Sequence, residues 1–360
     1  MPCFFPRKAF SYGAGEQLVF SHKDLTLDGA ELRYVSCNTC IGCREQQSKH
    51  WALRMYHASQ MYKDACFYTL TVDPSKLESD ELNDLRPDHF KSHIDYLKKK
   101  LKRSFGIEDV DWFLSAEYGE NGRKAPHYHV CLFGFDFCKY DGADAPMSGR
   151  GNKQFSSDLL QSTWPHGFVR VSPYNSKTAK YTSDYMLSKP SPIEVRKGYY
   201  NFFDHDRGIL RERLAPYHRS SKSLGRSYVE RYFSDIFPSD YCVVSQPGKS
   251  SYKVKPPRYY LKILREKDLD MYEKVVAKRA EFVQLPDFDR LAVQYEKKLI
   301  EINRGSRDGG FSVADDLTSL RTQVGLLSLS REERYRLASL SSHYAFELFL
   351  LTNIDYQDTG

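Results

Sequence analysis

A chain of 360 residues can bury at least one full core, and two domains are the expectation for that length. Hydrophobic residues make up 41% and charged residues 28%, as in a globular protein; no run of about 18 apolar residues occurs and the first residues lack an apolar stretch of signal-peptide length, so a cytosolic protein with no membrane partner is expected. The 53 basic against 47 acidic residues leave a net charge of +6, a weak bias toward a polyanion. The 26 Tyr and 22 Phe read either as sheet packing or as faces on which single-stranded bases stack.

Residues 1–60 form a cysteine-containing arm. Cys37-Asn-Thr-Cys40-Ile-Gly-Cys43 gathers three thiols, and Cys3 offers a fourth. In a reducing compartment that spacing reads as metal binding before disulfides, and structural zinc takes four ligands. Buried free thiols and an iron–sulfur cluster are the alternatives. The expected role of the zinc is to pin the arm onto the domain that follows.

Residues 61–190 form the core. Cys66-Phe-Tyr-Thr-Leu-Thr-Val72 is β-branched and aromatic and ends at Asp73-Pro74, so it predicts a strand. Asp88 is expected to cap a helix whose apolar positions Phe90, Ile94, Leu97, Leu101 and Phe105 follow the 3.6-residue period. Strands over 110–118 and 127–135 flank a turn at 119–126. A polar insertion over 139–154 follows, then a short helix over 156–163, a strand over 167–171 and a helix over 175–188. The order β-α-β-β-α-β predicts an α+β fold, a ferredoxin-like (RRM-like) antiparallel sheet with helices on one face.

Residues 191–262 read as a Tyr-, Ser- and Pro-rich extension packed on the core. Residues 263–360 read as a charged helical region, with a break at Pro286, a linker over 305–310 and a last helix over 331–351. The basic clusters Lys98 to Arg103 and Arg219 to Arg231 read first as solvated faces, and second as phosphate contacts.

His127-Tyr128-His129 lies on a strand, where residues two apart share a face, so both imidazoles can reach one ion. Glu117 on the neighbouring strand can complete a His-His-Glu set, or else pair with Arg123 or Lys124 in the turn. Nitrogen and oxygen ligands with open positions suit Mg²⁺ or Mn²⁺ as a Lewis acid. Tyr181, Tyr185 and Lys189 are spaced by four on a helix, which puts two phenols and an ammonium on one face; a packing pair of tyrosines is the alternative. A phenol with a free pKa of about 10 needs a nearby cation to serve as a nucleophile. A second phenol would let a cut strand be exchanged and resealed without ATP.

Phe67-Tyr-Thr-Leu-Thr71, Glu117-Tyr-Gly, Pro126-His-Tyr-His129 and Tyr181-x-x-x-Tyr185 resemble the ordered motifs of the HUH endonucleases. The chain is closer still to the replication initiators of small single-stranded DNA bacteriophages of the gokushovirus group (Microviridae). It is similar to them in the early Met-x-Cys, in Cys40-Ile-Gly-Cys43-Arg with Ser48-x-x-Trp51-Ala-x-Arg54, in Phe133-Gly-Phe-Asp-Phe137, in Trp164-Pro-x-Gly167 and in Pro257-Arg-Tyr-Tyr260. The match covers residues 1–262. It implies metal binding by His127 and His129 with Glu117, and nucleophilic roles for Tyr181 and Tyr185. It further implies nicking at a viral origin, extension of the freed 3′ end by host polymerase with host helicase as a further partner, and rejoining of the displaced circle, in the cytoplasm of a bacterial host. Asp184 stands where the family has Lys or Arg, and Ser188 where it tends to have Lys. Two other readings are a zinc-stabilised single-stranded DNA-binding protein without catalysis, and a metal-dependent phosphodiesterase that uses water.

Overall fold

The computed structural model describes residues 3–12, 18–20, 29–76, 84–119, 125–145, 153–185, 201–204, 208–245, 248, 250–281 and most of 286–298. Lys189, the linker over 305–310 and the helix expected over 331–351 lie outside the described residues. The chain divides into two compact units, Met1–Cys43 with Glu273–Gly360, and Arg44–Tyr272.

In the first unit, strands β1 (Arg7–Ser11) and β2 (Glu31–Val35) pair antiparallel with Arg7 opposite Val35. The cysteine-bearing loop then leads into helix α1 (Ile41–Met61), which from Arg44 onward belongs to the second unit.

The second unit is built on one antiparallel sheet. Its elements in chain order are β3 (Ala65–Val72), α2 (Pro87–Phe105), β4 (Asp111–Tyr118), β5 (Pro126–Phe133), α3 (Phe137–Tyr140), β6 (Ala143–Ala145), β7 (Gln154–Ser156), α4 (Asp158–Gln161), β8 (Gly167–Pro173) and α5 (Ser176–Asp184). A hairpin of β9 (Asn201–Asp204) and β10 (Ile209–Glu212) follows, then β11 (Tyr217–Ser220). The seven strands lie in the order β11-β4-β5-β3-β8-β7-β6, each pair antiparallel. The polar insertion thus supplies two short strands, and the Tyr/Ser/Pro-rich stretch supplies an edge strand.

Alternation along β3 sends Tyr68 and Leu70 to one face, where they pack with Tyr128, Val130, Val169 and Val171 under α2. The α2 positions Phe90, Ile94, Leu97 and Leu101 are buried there. Phe105 is 40% exposed and closes the end of the helix against Phe135, ring centroids 5.0 Å apart. Leu97 is wholly buried, so its truncation to Ala would cost roughly 2–5 kcal/mol.

Two expectations need correction. The cap of α2 is Arg86 and not Asp88: Pro87 starts the helix with its φ already set, and Asp88 in the first turn pairs with Arg86 at 2.9 Å. Helices also cover both faces of the sheet, not one. Met55 and Ala58 of α1 and Ala179 of α5 pack against Phe113, Cys131 and Phe133 on the face opposite α2. The reason is in the strands: Val130-Cys-Leu-Phe133 is apolar without a break, as a strand buried on both sides must be.

Candidate active site

Both histidines of β5 lie on the face away from α2, because Tyr128 between them points into the core with no exposure. The Tyr128 hydroxyl accepts from the Arg86 N–H at 2.7 Å and so ties β5 to the start of α2. Register puts Glu117 of β4 directly opposite His127, and Thr71 of β3 on its other side. His129 lies in the next row, between Ser115 and Thr69. Gly119 lets the hairpin arm pass close over the site, since a Cβ there would meet the His127 ring at 3.0 Å.

His129 Nε2 stands 3.0 Å from Glu117 Oε1, and its Nδ1 stands 3.0 Å from Thr69 Oγ1. His127 donates from Nδ1 to the Ala125 carbonyl at 2.6 Å, which leaves Nε2 as its lone-pair nitrogen. Burial lowers the His127 pKa from its ordinary value, which favours the neutral, ligating form. The two imidazole centroids are 6.2 Å apart, so His127 sits beside the His129–Glu117 pair and is not hydrogen-bonded into it. Two imidazoles and a carboxylate thus lie on one face, with His127 held in the tautomer that leaves its Nε2 lone pair available to a ligand.

Helix α5 starts at a capping box in which Asn175 accepts from the Lys177 and Thr178 N–H groups, while Thr178 Oγ1 accepts from the Asn175 N–H. It carries Tyr181 and ends at Tyr185. The Tyr185 ring is parallel to that of His129 with centroids 4.9 Å apart, and the Tyr181 ring is edge-on at 5.5 Å. The Tyr185 hydroxyl donates to the Tyr181 hydroxyl. The Tyr185 phenol is pushed well above its ordinary pKa, first by burial and then by the Glu117 charge and the bond to Tyr181. Tyr181 is 37% exposed. Asp184 turns away from this cluster. It accepts from Ser48 Oγ of α1 at 3.0 Å and pairs with Lys180.

Sequence reasoning missed Thr69 as the partner of His129, and Phe67, whose ring is stacked on His129 at 5.9 Å. The signal was present: both are odd-numbered positions of β3, on the face His129 occupies.

The second cluster lies in the first unit. Cys3, Cys37, Cys40 and Cys43 bring their sulfurs within 4.8 Å of one another, a group that can hold a metal ion such as zinc. Among the described residues it is the one set of three or more such side chains drawn that close. Cys37 and Cys43 are 3.9 Å apart, and Cys3 and Cys40 4.0 Å. Backbone N–H groups of Cys37 and Cys40 point at the sulfurs of Cys3 and Cys37 at 3.2 and 3.3 Å. The hydrogen-bonding partner Cys3 lowers the Cys40 thiol from its ordinary value and raises that of Cys43.

These side chains define the class in broad terms: an α/β protein with imidazoles, a carboxylate and phenols gathered on one face of an antiparallel sheet, and a separate cysteine cluster. Residues 65–190 match the family described as replication-associated protein ORF2/G2P. The replication-associated protein VP4 of Bdellovibrio phage phiMH2K is 31% identical over 265 residues, covering 72% of this chain and 76% of its own. The replication-associated protein ORF2 of Spiroplasma virus 4 is 26% identical over 276 residues, covering 72% and 79%. The chain belongs to this family of phage replication-associated proteins, the Microviridae-type replication initiators. No solved structure matches it.

Proposed function

We propose that this protein nicks single-stranded origin DNA of its phage and rejoins it through a tyrosine ester, beside a Mg²⁺ or Mn²⁺ ion held by His127, His129 and Glu117. One observation carries the reading: both phenol rings lie within 5.5 Å of the same imidazole, although some fifty residues separate the two motifs. The strand order β4-β5-β3-β8 follows the split βαβ arrangement, which supports assigning the core to the HUH endonucleases with a ferredoxin-like sheet.

The bound cation would polarise the phosphoryl oxygens under attack and offset their charge. The protein's own residues do the rest. Tyr185 keeps its proton, and its hydroxyl donates a hydrogen bond to the Tyr181 oxygen, the atom that gains charge as it attacks. The more exposed Tyr181 is thus the first nucleophile. Its oxygen bonds to phosphorus, the bond from phosphorus to O3′ breaks, the phenolic proton leaves to solvent, and the departing O3′ takes one up. The products are a 5′-phosphotyrosine and a 3′-hydroxyl primer for host polymerase, with a host helicase opening the duplex ahead of it. Tyr185 then serves the second exchange, with Lys189 as the assisting cation. The four cysteines hold structural zinc. Among the described residues no helix is long and apolar enough to cross a membrane. The place of action proposed is the bacterial host's cytoplasm.

The test is a denaturing gel of the protein with a labelled origin-bearing oligonucleotide and Mn²⁺. Label migrating with the protein, lost in the Tyr181→Phe/Tyr185→Phe double variant, is the expected result. Cleavage without adduct would replace the reading by a water mechanism, and binding without cleavage by a non-catalytic DNA-binding protein.

A further inference from the structure

On the sheet face that carries the histidines, the rows run on past them onto β8. Register places Glu117, His127, Thr71 and Phe168 side by side across β4, β5, β3 and β8, and Ser115, His129, Thr69 and Arg170 in the next row. Val169 and Val171 of β8 are buried in the core under α2, so Phe168 and Arg170 point to the opposite face, the one His127 and His129 occupy. Phe168 is 53% exposed beside Thr71 of β3. Lys76 stands over its ring at 5.5 Å. Arg170 is exposed, and its guanidinium donates to the carbonyl of Val169 at 2.9 Å. The strand is held flat and close at this point: a Cβ on Gly167 would fall 2.0 Å from the Thr71 carbonyl, so only glycine allows β8 to enter beside β3. Two strand spacings of about 4.8 Å separate Phe168 from His127, roughly 10 Å along the row.

We infer that Phe168, with Lys76 and Arg170, is a stacking subsite for a base of the single-stranded DNA that crosses the sheet toward His127 and His129. The inference rests on the function proposed above and names where its substrate lies. An exposed aromatic ring with a lysine over it and an arginine two residues along the same strand face matches a single strand, which offers a bare base face and a phosphate at once. A duplex keeps its base faces stacked and offers only phosphates. The half-buried threonines 69 and 71 between Phe168 and the histidines leave a low, polar floor for the strand to cross.

The experiment measures binding of a fluorescent origin oligonucleotide to the full chain by anisotropy, in EDTA and in the Tyr181→Phe/Tyr185→Phe background, so that neither the cation nor the covalent step enters. Phe168→Ala is expected to weaken single-strand binding about five- to a hundredfold, Phe168→Trp to restore it, and the weak binding of the matching duplex to stay unchanged. Arg170→Gln is expected to lower the slope of log affinity against log salt by about 0.7. An affinity for the single strand within twofold of the parent in Phe168→Ala would overturn the subsite. So would an equal loss for single strand and duplex. Because no chemistry is read, a protein that stacks DNA on Phe168 yet forms no adduct would sink the nicking mechanism and leave this inference standing, and the converse pair of results would do the reverse.

Discussion

Replacing one cysteine of the four-sulfur cluster should strip the protein of zinc. Tetrahedral coordination with Zn–S bonds of about 2.3 Å sets sulfurs about 3.8 Å apart. The Cys37–Cys43 and Cys3–Cys40 pairs stand at 3.9 and 4.0 Å, within about 0.1–0.2 Å of that spacing, and all four sulfurs lie within 4.8 Å of one another. A disulfide would need about 2.05 Å, and all eight cysteines are free. Structural zinc in small peptides contributes about 10–16 kcal/mol of apparent binding free energy near pH 7. Shared evenly over four ligands that is roughly 2.5–4 kcal/mol each, a weakening of about a hundred- to a thousandfold per ligand lost. Because zinc binds thiolates, protons compete for the four sulfurs and affinity drops on the acid side. The assay is elemental analysis of protein purified under reducing conditions, followed by competition with a chromogenic chelator. One zinc per chain is expected in the parent, and near none in Cys43→Ser after the chelator. A parent without zinc, or a Cys43→Ser variant that keeps it equally tightly, would refute the argument from sulfur geometry.

Removing the hydroxyl that orients His129, in Thr69→Val, should weaken Mn²⁺ binding about 10–100-fold by calorimetry while thermal stability changes little. Acid should destabilise the fold through two buried histidines. Burial holds His57 down to about 3 and His93 to about 4, against about 6.5 when unfolded, so the unfolded chain takes up protons first; stability is intact above about pH 6.5 and falls between there and about pH 4. Melting temperatures across that range should fall less steeply in His57→Phe than in the parent, and equal slopes would contradict the assignment. Cutting the Ser48–Asp184 contact with Ser48→Ala should lower the rate of adduct formation with no change in oligonucleotide affinity, read by single-turnover gels beside anisotropy.

The strands around the site were legible because their chemistry is local. β3 alternates strictly, and the His-x-His spacing on β5 needs only the two-residue period to put both rings on one face. The Tyr181–Tyr185 pair likewise follows from helical spacing, once Asn175 and Thr178 mark the helix start. Helix α1 was not legible. Its inward positions mix Met55 and Ala58 with Ser48, Arg54 and His57, whose partners come from far along the chain: Asp184, the Leu224 carbonyl and Tyr260. Polar residues buried by distant partners erase the apolar period that identifies a helix face. Edge strand β11, reading Tyr-His-Arg-Ser, carries no strand signal of its own and forms by pairing with β4. The contact of His129 with Thr69 also depends on a register that sequence spacing does not fix.

The account stands most directly on where the DNA becomes attached. Mass spectrometry of the proteolysed adduct, made with Mn²⁺ and an origin oligonucleotide, locates the modified residue. A nucleotide-bearing phosphotyrosine at Tyr181 in the parent, passing to Tyr185 in Tyr181→Phe, is the predicted result. Attachment at a tyrosine outside this pair, from a protein whose His127→Ala/His129→Ala variant is equally active, would contradict it.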